Sequence, residues 1–437
     1  MNKIGTEPYK GVRDFYPQDK FVQEYIFEKM REIVESFGYE KYDASILEST
    51  DLYKAKSGEE IVNEQTYSFT DRGGRDVTLR PEMTPTIARM VAGKKRELVF
   101  PLRWYSIVNN FRYERPQKGR GREFWQLNVD IFGVKGIEAE IETITIAYKI
   151  MQNLGALDRD FVIKISFAGI VGTILSEKFN LDGDEKKKIV RLIDRWNGKK
   201  ISDDDFNKEM ENILGTGRGE DLKKSLANGE IEKIMNDQPE VQLCQRIIKK
   251  LNERGITNIS FDPFLVRGFD YYTGIVFEVF DKDPNNNRAM FGGGRYDNLL
   301  DIFGEDPKSQ SNGQGKIPAV GFGMGDITAL DFLESRNLLP EYIPKTNLYL
   351  CLMNENVTFF ADDLAEALRN QKINVEVDYS YKKIGDQIKK ANKKKIPFVI
   401  CIGDDEIKND KFILKRLVDG KEWQIFRNEI SEKIFNS

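Results

Sequence analysis

The sequence predicts an α+β domain built on an antiparallel sheet with flanking helices, a helical insertion, and a smaller C-terminal α/β domain. Strand-like runs lie between two long helical patterns in the first 167 residues, and two of these runs are predicted to form a hairpin. Residues 168–256 are polar and helical in pattern. After residue 345, strand and helix patterns alternate, which is typical of parallel βαβ units. We therefore predict domain boundaries of 1–167, 168–256, 257–338 and 345–437.

The elements of the first domain follow from the spacing of apolar residues. Residues 18–37 carry apolar side chains at helical spacing, and Gly38 ends that helix. A second helix is predicted for 137–155. The predicted strands are YDASILE (42–48), TYSFT (66–70), DVTLR (76–80), LRWYSIVNNFRYE (102–114), EFWQLNVDIFG (123–133) and FVIKISF (161–167).

Strand-like segments return after the polar helical region, at 261–281 and 289–293. The glycine-rich run VGFGMG (320–325) then precedes a predicted helix. In the C-terminal domain the predicted order is strand, helix, strand, helix, strand. The corresponding sequences are LYLCLMN, FFADDLAEALRNQ, NVEVDY, KIGDQIKKANKKK and FVICIG.

The composition excludes several kinds of active site. The 437 residues include no histidine, which excludes Ser-His and Cys-His nucleophiles, histidine bases and histidine metal ligands. Cys244, Cys351 and Cys401 lie far apart and indicate neither a disulfide framework nor a cysteine zinc site. We predict no metal site made by a side-chain cluster. The chemistry of this chain must use carboxylates, arginine, lysine, tyrosine and backbone dipoles.

The charge and hydropathy patterns bear on location and partners. The formal net charge is −4, which neither indicates nor excludes a nucleic-acid partner, because a local patch can bind RNA. The N-terminal segment MNKIGTEPYKGVRD has no apolar core of a signal peptide, and no uncharged apolar run reaches 18 residues. We therefore expect a soluble, cytoplasmic protein without a membrane partner.

The most informative segment is the predicted hairpin around residues 111–133. Gln126, Asn128 and Asp130 alternate with apolar residues, so their side chains share one face of the strand. The preceding strand ends in Arg112-Tyr113-Glu114, and a cationic loop containing proline and glycine follows. One interpretation is the polar floor of a pocket. The other is a solvated sheet face with a charged loop.

Three further motifs carry residue types suited to ligand binding. LRPEMT (79–84) places a carboxylate and a hydroxyl directly after a strand. In LVRGFDYYTG (265–274), a glycine permits close backbone approach and two tyrosines supply hydroxyls on rigid rings. GGGRYD (292–297) leaves space for a flat or bulky ligand, although a glycine run alone more often marks a turn.

Together these motifs resemble class II aminoacyl-tRNA synthetases, and within that class the histidyl-tRNA synthetase family. The resemblance covers nearly the whole chain, and the R-G-x-D-Y-Y pattern is the part that separates the histidyl group. The matching segments, in family order, are KGVRDFYP (10–17), GYEKYDASILE (38–48), LRPEMT, FRYERPQKGRGREFWQLNVDIFG (111–133), LVRGFDYYTG, GGGRYD, VGFGMGD (320–326) and GDDE (403–406).

The resemblance implies a role for each matching residue. Arg112 and Arg267 match catalytic arginines on the α-phosphate of ATP, and Asp130 and Tyr272 match residues that recognise the imidazole ring. The histidine-binding residues implied are Glu82, Met83, Thr84, Gln126, Asp130, Tyr271 and Tyr272. The ATP-binding residues implied are Arg112, Glu114, Arg120 and Arg267, and Gln117 is placed to meet the tRNA acceptor end.

The resemblance also implies substrates and partners, namely histidine, ATP with Mg²⁺, tRNA(His) and a second copy of the chain in a homodimer. Attack of an already ionised carboxylate on phosphorus needs positioning and cations rather than a protein base, so a chain without histidine can perform it. One departure from the family concerns the third motif. Thr328 stands where many relatives have an arginine, and this leaves contacts to the γ-phosphate to Arg120 or Arg122.

Two alternatives remain open at the level of sequence. One is the non-catalytic regulatory subunit of ATP phosphoribosyltransferase, which shares the histidyl fold. The other is an RNA-binding scaffold with an inactive site. The retained Arg112 and Arg267 and the C-terminal α/β domain favour the synthetase. Seven lysines within 382–395 form either a solvated helix face or a phosphate-contact patch of an anticodon-binding domain.

Overall fold

The computed structural model describes residues 5–54, 65–114, 119–197, 201–227, 238–265, 271–283, 286, 289–303 and 316–437. These residues divide into two compact units, Met1–Pro340 and Glu341–Ser437. Each unit has its own sheet and its own hydrophobic core.

The first unit contains the elements that position the candidate site. Its strands are β1 (Glu40–Lys41), β2 (Leu47–Ser49), β3 (Tyr67–Thr70), β4 (Asp76–Leu79), β5 (Leu102–Phe111), β6 (Glu123–Phe132), β7 (Phe161–Phe167), β8 (Ile259–Phe261), β9 (Ile275–Asp281), β10 (Ala289–Arg295) and β11 (Ala319–Gly325). Its helices are α1 (Pro17–Ser36), α2 (Thr50–Lys54), α3 (Thr84–Lys94), α4 (Glu138–Asn153), α5 (Ile170–Phe179), α6 (Gly183–Asn197), α7 (Asp203–Leu214), α8 (Thr216–Ala227), α9 (Pro239–Asn252) and α10 (Asp326–Ser335).

Helix α1 begins and ends at residues that the local sequence favours. Pro17 occupies its first turn, where a missing N–H costs nothing, and Asp19 adds a negative charge at the positive end of the helix dipole. Ile26, Met30 and Val34 form its buried stripe. The chain leaves the helix through Gly38, whose φ of 79° suits glycine. The helix predicted for 18–37 is thus confirmed.

The described strands of the first unit form one large sheet and one small sheet. The large sheet has eight strands in the order β1-β5-β6-β11-β10-β9-β7-β8, and its six inner strands pair antiparallel. Its two edge strands, β1 and β8, pair parallel to their neighbours. The predicted hairpin is β5–β6, with Phe111 opposite Glu123 and Leu102 opposite Phe132. The predicted α+β class with an antiparallel sheet is therefore confirmed.

The large sheet is apolar on one face because alternate residues point to the same side. Leu127, Val129 and Ile131 of β6 belong to a core that also includes residues of α1, α4 and α10. Phe322 of β11 and Phe277 of β9 lie in the same core. Their sequence neighbours therefore point to the opposite face of the sheet.

Residues 168–256 form helices in their described part, and these helices have a core of their own. Helix α7 starts at Ser202, whose hydroxyl accepts a hydrogen bond from the N–H of Asp205, as N-cap serines commonly do. The buried residues of this core include Ile174, Leu192, Phe206, Met210 and Leu222. The four domain boundaries proposed from the sequence stay predictions.

The second unit is an α/β domain with a five-stranded sheet. Its strands are β12 (Leu348–Leu352), β13 (Val375–Asp378), β14 (Phe398–Ile402), β15 (Lys411–Arg416) and β16 (Glu422–Phe426), in the sheet order β13-β12-β14-β15-β16. Its helices are α11 (Thr358–Asn370), α12 (Ile384–Lys393), α13 (Asp404–Asn409) and α14 (Ile430–Phe435). The first three strands pair parallel, as the alternating pattern predicts. The antiparallel pair β15–β16 was not part of that prediction.

Hydropathy of the helices gives one further result. Among the residues that the structure describes, no helix combines the length and the apolar character that crossing a bilayer requires.

Candidate active site

The face of the large sheet opposite the apolar core is lined by polar side chains and glycines. Ser106 of β5 lies opposite Asn128 of β6, and Asp130 of β6 lies opposite Gly321 of β11. In the next strands, Gly294 lies opposite Gly321 and Gly292 lies opposite both Gly323 and Glu278. We call this surface the polar face. Because Asn128 and Asp130 are buried, the interpretation of the β6 pattern as a solvated sheet face is wrong, and the pocket floor stays the prediction.

Glycines on the polar face leave the space that its polar side chains occupy. A Cβ atom at Gly321 would lie 2.1 Å from Oδ1 of Asp130 and 2.7 Å from the Val129 carbonyl oxygen. A Cβ atom at Gly323 would lie 2.7 Å from Nε2 of Gln126. Real Cβ atoms do not approach other atoms so closely. The glycine pattern of VGFGMG is therefore required by the polar residues of the neighbouring strand.

Asp130 is the most unusual ionisable group on the polar face. Its side chain is 3% exposed, and the Tyr296 hydroxyl donates a short hydrogen bond to its Oδ1. Its Oδ2 has no hydrogen-bond partner among the described residues. Burial raises the pKa of Asp130 to about 7, and the hydrogen bond from Tyr296 opposes the increase. Asp130 is thus a buried carboxyl group with one oxygen available to a ligand.

Glu82 and the tyrosines form a second cluster beside Asp130. The buried Tyr271 hydroxyl donates a hydrogen bond of 3.0 Å to Oε2 of Glu82. The Tyr271 ring centroid lies 4.9 Å from that of Tyr272 and 5.9 Å from that of Tyr296. Tyr296 in turn bonds Asp130, so the cluster is continuous from Glu82 to Asp130.

Tyr272 lies on the polar face itself. A Cβ atom at Gly294 would meet Cδ1 of Tyr272 at 2.9 Å, so the ring covers that glycine. Gly294 and Asp130 are both register partners of Gly321, which places them two strand spacings apart, about 10 Å.

Met83 and Thr84 mark the start of helix α3. Met83 is the N-cap residue, is fully buried and packs in the same cluster as Tyr271 and Tyr296. Thr84 is the first residue of the helix and is partly exposed. Met83 is therefore a packing residue of the site wall, and Thr84 keeps a solvent-accessible side chain at a helix N-terminus, where anions and polar groups are stabilised.

Arg112 directly follows β5 and connects the hairpin to the LRPEMT segment. Its Nε donates a hydrogen bond of 2.9 Å to the Pro81 carbonyl oxygen, and its guanidinium carbon lies 5.2 Å from the Phe124 ring centroid. The backbone N–H of Phe111 bonds the Arg80 carbonyl oxygen at 2.9 Å. These contacts fix the position of the arginine side chain beside the residue that precedes Glu82.

The other predicted nucleotide contacts are only partly described. Nη1 of Arg120 bonds Oε2 of Glu114 at 2.9 Å, so these two predicted residues form an ion pair. Gln117 and Arg267 lie outside the described residues. Arg267 is one of the two arginines assigned to the α-phosphate, and its position stays a prediction.

Arg122 and Thr328, which the sequence analysis discussed for the γ-phosphate, both contact other residues of the protein. Arg122 is buried, bonds the Glu114 carbonyl oxygen and the Tyr9 hydroxyl, and lies 4.1 Å from the Tyr113 ring centroid. Its assignment to the γ-phosphate stays a prediction. The Thr328 hydroxyl donates to the Met290 and Gly325 carbonyl oxygens in the first turn of α10.

Sequence reasoning overlooked Tyr296, the direct partner of Asp130. The motif GGGRYD draws attention to its glycines and its arginine, yet Arg295 forms a buried ion pair with Glu140, with an Nε–Oε1 distance of 2.6 Å. The tyrosine next to it reaches the polar face. Tyr42 and Trp104, whose ring centroids are 5.6 Å apart, also went unnoticed. The only available signal was their aromatic character.

Comparison with known proteins identifies the family. The family model described as histidyl-tRNA synthetase matches residues 11–327. The chain belongs to the histidyl-tRNA synthetase family. An anticodon binding domain model matches residues 347–436, nearly the whole second unit.

Individual relatives of this family cover the chain almost completely. The histidine–tRNA ligase of Leptospira biflexa serovar Patoc is 39% identical over 99% of this chain and 98% of its own length. The histidine–tRNA ligase of Thermoplasma volcanium is 34% identical over 95% of both chains. The solved structure of the histidyl-tRNA synthetase from Nostoc sp. PCC 7120 matches the fold with a TM-score of 0.77 at 20% identity, over 99% of this chain and 100% of that one.

The lysines of the anticodon-binding domain are partly paired with acids. Nζ of Lys390 bonds Oδ2 of Asp378 at 2.8 Å, Lys394 pairs with Glu376, and Lys395 pairs with Glu341 at 3.1 Å. The strong Lys390 contact, with hydrogen bonds from Ser380 and Tyr349, lowers the pKa of Asp378 against the effect of burial. Of these three lysines only Lys390 is partly buried, whereas Lys394 and Lys395 are exposed, as are Lys382, Lys383, Lys389 and Lys393.

Proposed function

We propose that this chain is a histidine–tRNA ligase, which activates histidine with ATP and transfers it to tRNA(His). In the first step a carboxylate oxygen of histidine attacks the α-phosphorus of ATP, the bond to the β-phosphate breaks, and histidyl-adenylate and pyrophosphate form. In the second step a ribose hydroxyl of the tRNA displaces AMP from the adenylate. The available oxygen of the buried Asp130, on a face cleared by glycines, is the observation that carries the assignment to histidine.

We assign the imidazole to the space between Asp130 and Tyr272. A carboxylate accepts a hydrogen bond from one ring N–H, and a phenol hydroxyl can donate to the other ring nitrogen. A ligand without ring nitrogens would make no hydrogen bond to the available oxygen of Asp130, and sites of this kind discriminate by about 10⁴-fold or more. Glu82 and Thr84 would hold the α-amine, with Tyr271 orienting Glu82 through its hydrogen bond. Gln126 completes the polar shell.

The cationic groups would serve the phosphates. We assign Arg112 and Arg267 to the α-phosphate, where they would stabilise the charge that develops as the new bond forms. Arg120 and Glu114, which pair with each other, would contact the β- and γ-phosphates and the adenine of ATP. Gln117 would meet the tRNA acceptor end, and the second unit would bind the anticodon.

Mg²⁺ fits this site as a companion of ATP. Among the described residues no three acidic or cysteine side chains come together as a metal cluster, so phosphate oxygens and water would supply most of its ligands, as is usual for Mg²⁺. Glu114 and Glu278 are the carboxylates of the described residues that could complete the coordination. Bound there, the ion would neutralise charge on the departing pyrophosphate.

The regulatory-subunit alternative is less well supported than the ligase. Relatives named histidine–tRNA ligase align with this chain over nearly its full length, including the second unit. We also propose a homodimer and a cytoplasmic location. Sedimentation analysis of the purified chain would test the dimer, since a monomer at micromolar concentration would contradict it.

Histidine-dependent exchange of labelled pyrophosphate into ATP tests the function directly. We expect exchange with histidine and none with phenylalanine or glutamine. Arg112→Gln should reduce the rate by about 10²–10³, the usual cost of losing one transition-state donor, and Arg267→Ala should do the same. Arg103→Gln is the matched control, because Arg103 pairs with Glu142 at 2.7 Å and should leave exchange nearly unchanged. Wild-type protein without histidine-dependent exchange would refute the ligase.

A further inference from the structure

Three buried polar atoms on neighbouring elements of the polar face form no hydrogen bond of normal geometry. Within the described part of the chain, they are the Tyr42 hydroxyl, the Ser106 hydroxyl and Oδ2 of Asp130. Ser106 is fully buried on β5, two residue pairs along the hairpin from Asp130 and on the same face of the sheet. The backbone N–H of Tyr42 bonds the Tyr105 carbonyl oxygen at 2.9 Å, and the Tyr42 ring packs on Trp104, the register partner of Asp130.

The same groups also interact electrostatically. Burial raises the pKa of Tyr42, the charge of Asp130 adds to the increase, and the Ser106 hydroxyl opposes it. Asp130 also raises the pKa of Tyr39 and Tyr296. Arg80 and Asp43 act on Tyr42 in opposite directions. The register partners of Asp130 on the two adjacent strands, Trp104 of β5 and Gly321 of β11, carry no charge.

Three unpaired groups in one buried place call for a common partner. More than nine in ten buried polar groups in proteins are hydrogen-bonded, and each unpaired one costs about 1–3 kcal/mol. An ordered water needs two to four polar partners, which these groups supply. Two hydroxyls can donate to such a water, and the water can donate to Oδ2. That oxygen has two lone-pair sites, so it could accept from the water and from a ligand together.

We propose that Tyr42 and Ser106 are positioning residues for Asp130, which act through one ordered water and keep its carboxylate ionised and oriented toward the imidazole N–H. The proposal rests on the ligase function and assigns two specificity-determining residues beneath the histidine pocket. Neither residue touches the substrate. They stabilise the charged form of Asp130 and so make it the better acceptor at neutral pH.

The test is the pH profile of kcat/KM for histidine in pyrophosphate exchange, at saturating ATP. Tyr42→Phe removes one hydroxyl and should move the acidic limb toward higher pH by about one unit, because the ordered water then stabilises the charged form of Asp130 less. Ser106→Ala should move it in the same direction, and the KM for ATP should stay unchanged. The chain has no histidine, and the titration of the substrate is common to all variants, so a shift between variants reports the protein.

Tyr105→Phe is the matched control. It removes a phenol hydroxyl from the same strand, but from the opposite face, where that hydroxyl bonds Glu35 at 2.5 Å. The proposal would be overturned if the acidic limb of the pH profile stayed in place in both Tyr42→Phe and Ser106→Ala. It would also be overturned if Tyr105→Phe moved that limb by the same amount. If Tyr42→Phe does not fold, the smaller change Ser106→Ala decides the question. Wild-type protein without histidine-dependent exchange would instead refute the ligase function on which the proposal rests.

Discussion

In the proposed function, the protonation state of Asp130 controls how strongly the site binds the imidazole ring of histidine. Below pH about 7, Asp130 carries a proton in the folded protein, because burial disfavours its charge. Above that pH it is ionised and can only accept hydrogen bonds. The strength of histidine binding should therefore increase as the pH rises through 7, and this increase coincides with the loss of charge from the free imidazole, whose pKa is about 6.5.

Replacing Asp130 by asparagine tests the contribution of its charge while the size of the side chain is kept. Asp130→Asn keeps the size of the side chain but can present an amide donor to a ring N–H. We expect a strong increase in the KM for histidine and little change in the KM for ATP, because only the amino-acid side chain is touched. Calorimetry with each substrate provides the measurement. Wild-type histidine affinity together with weakened ATP binding would move Asp130 to the nucleotide site.

The sequence was sufficient to place Asp130 and Gln126 on one face of strand β6, because alternation within one strand is a local signal, and their role in binding histidine stays a prediction. It was not sufficient for Tyr296, which hydrogen-bonds Asp130 across 166 positions of the chain. Such a partner is determined by which strands become neighbours, and a single sequence does not specify that order. Arg295 likewise pairs with a residue that is distant in sequence, Glu140 of helix α4.

At the level of elements, strand β11 contributes to the site because its glycines have no side chains on the polar face. The glycines opposite Asp130 and Gln126 make room for those side chains, whereas the alternate residues Val320, Phe322 and Met324 are buried in the core. One face of strand β11 therefore packs in the hydrophobic core, and its other face belongs to the polar face. The glycine run was recognised in the sequence, but its purpose became clear only from the register with β6.

Alanine at Gly321 should disrupt the site, because its Cβ would meet both Asp130 and the Val129 backbone. We expect Gly321→Ala to lower the thermal unfolding temperature and to abolish detectable histidine binding. Gly325→Ala is the control in the same strand, since its Cβ would find its nearest neighbour at 3.7 Å. Histidine affinity and unfolding temperature measured on both variants give the comparison. Equal effects of the two substitutions would show that crowding at Asp130 is unimportant.

At the scale of the whole molecule, two units with separate cores suggest separable tasks. We expect a chain ending at Pro340 to retain histidine-dependent pyrophosphate exchange and to lose most of its rate of tRNA charging, because the second unit matches an anticodon-binding domain. Both rates are measured on the truncated and the full-length chain. Full charging by the truncated protein would contradict anticodon binding by the second unit.

The absence of histidine from the whole chain gives a final and direct test of the pocket. With unlabelled protein and ¹⁵N-labelled histidine, every imidazole signal in an NMR spectrum of the complex belongs to the ligand or to its free form. If Oδ2 of Asp130 accepts a hydrogen bond from one ring nitrogen, that nitrogen keeps its proton and the other does not. At pH 8 the bound ring should therefore show two distinct nitrogen shifts of a single tautomer. In Asp130→Asn the ring should lose this preference and approach the averaged shifts of free histidine. A bound ring that shows averaged shifts in the wild-type protein would mean that the carboxyl group of Asp130 does not contact the imidazole.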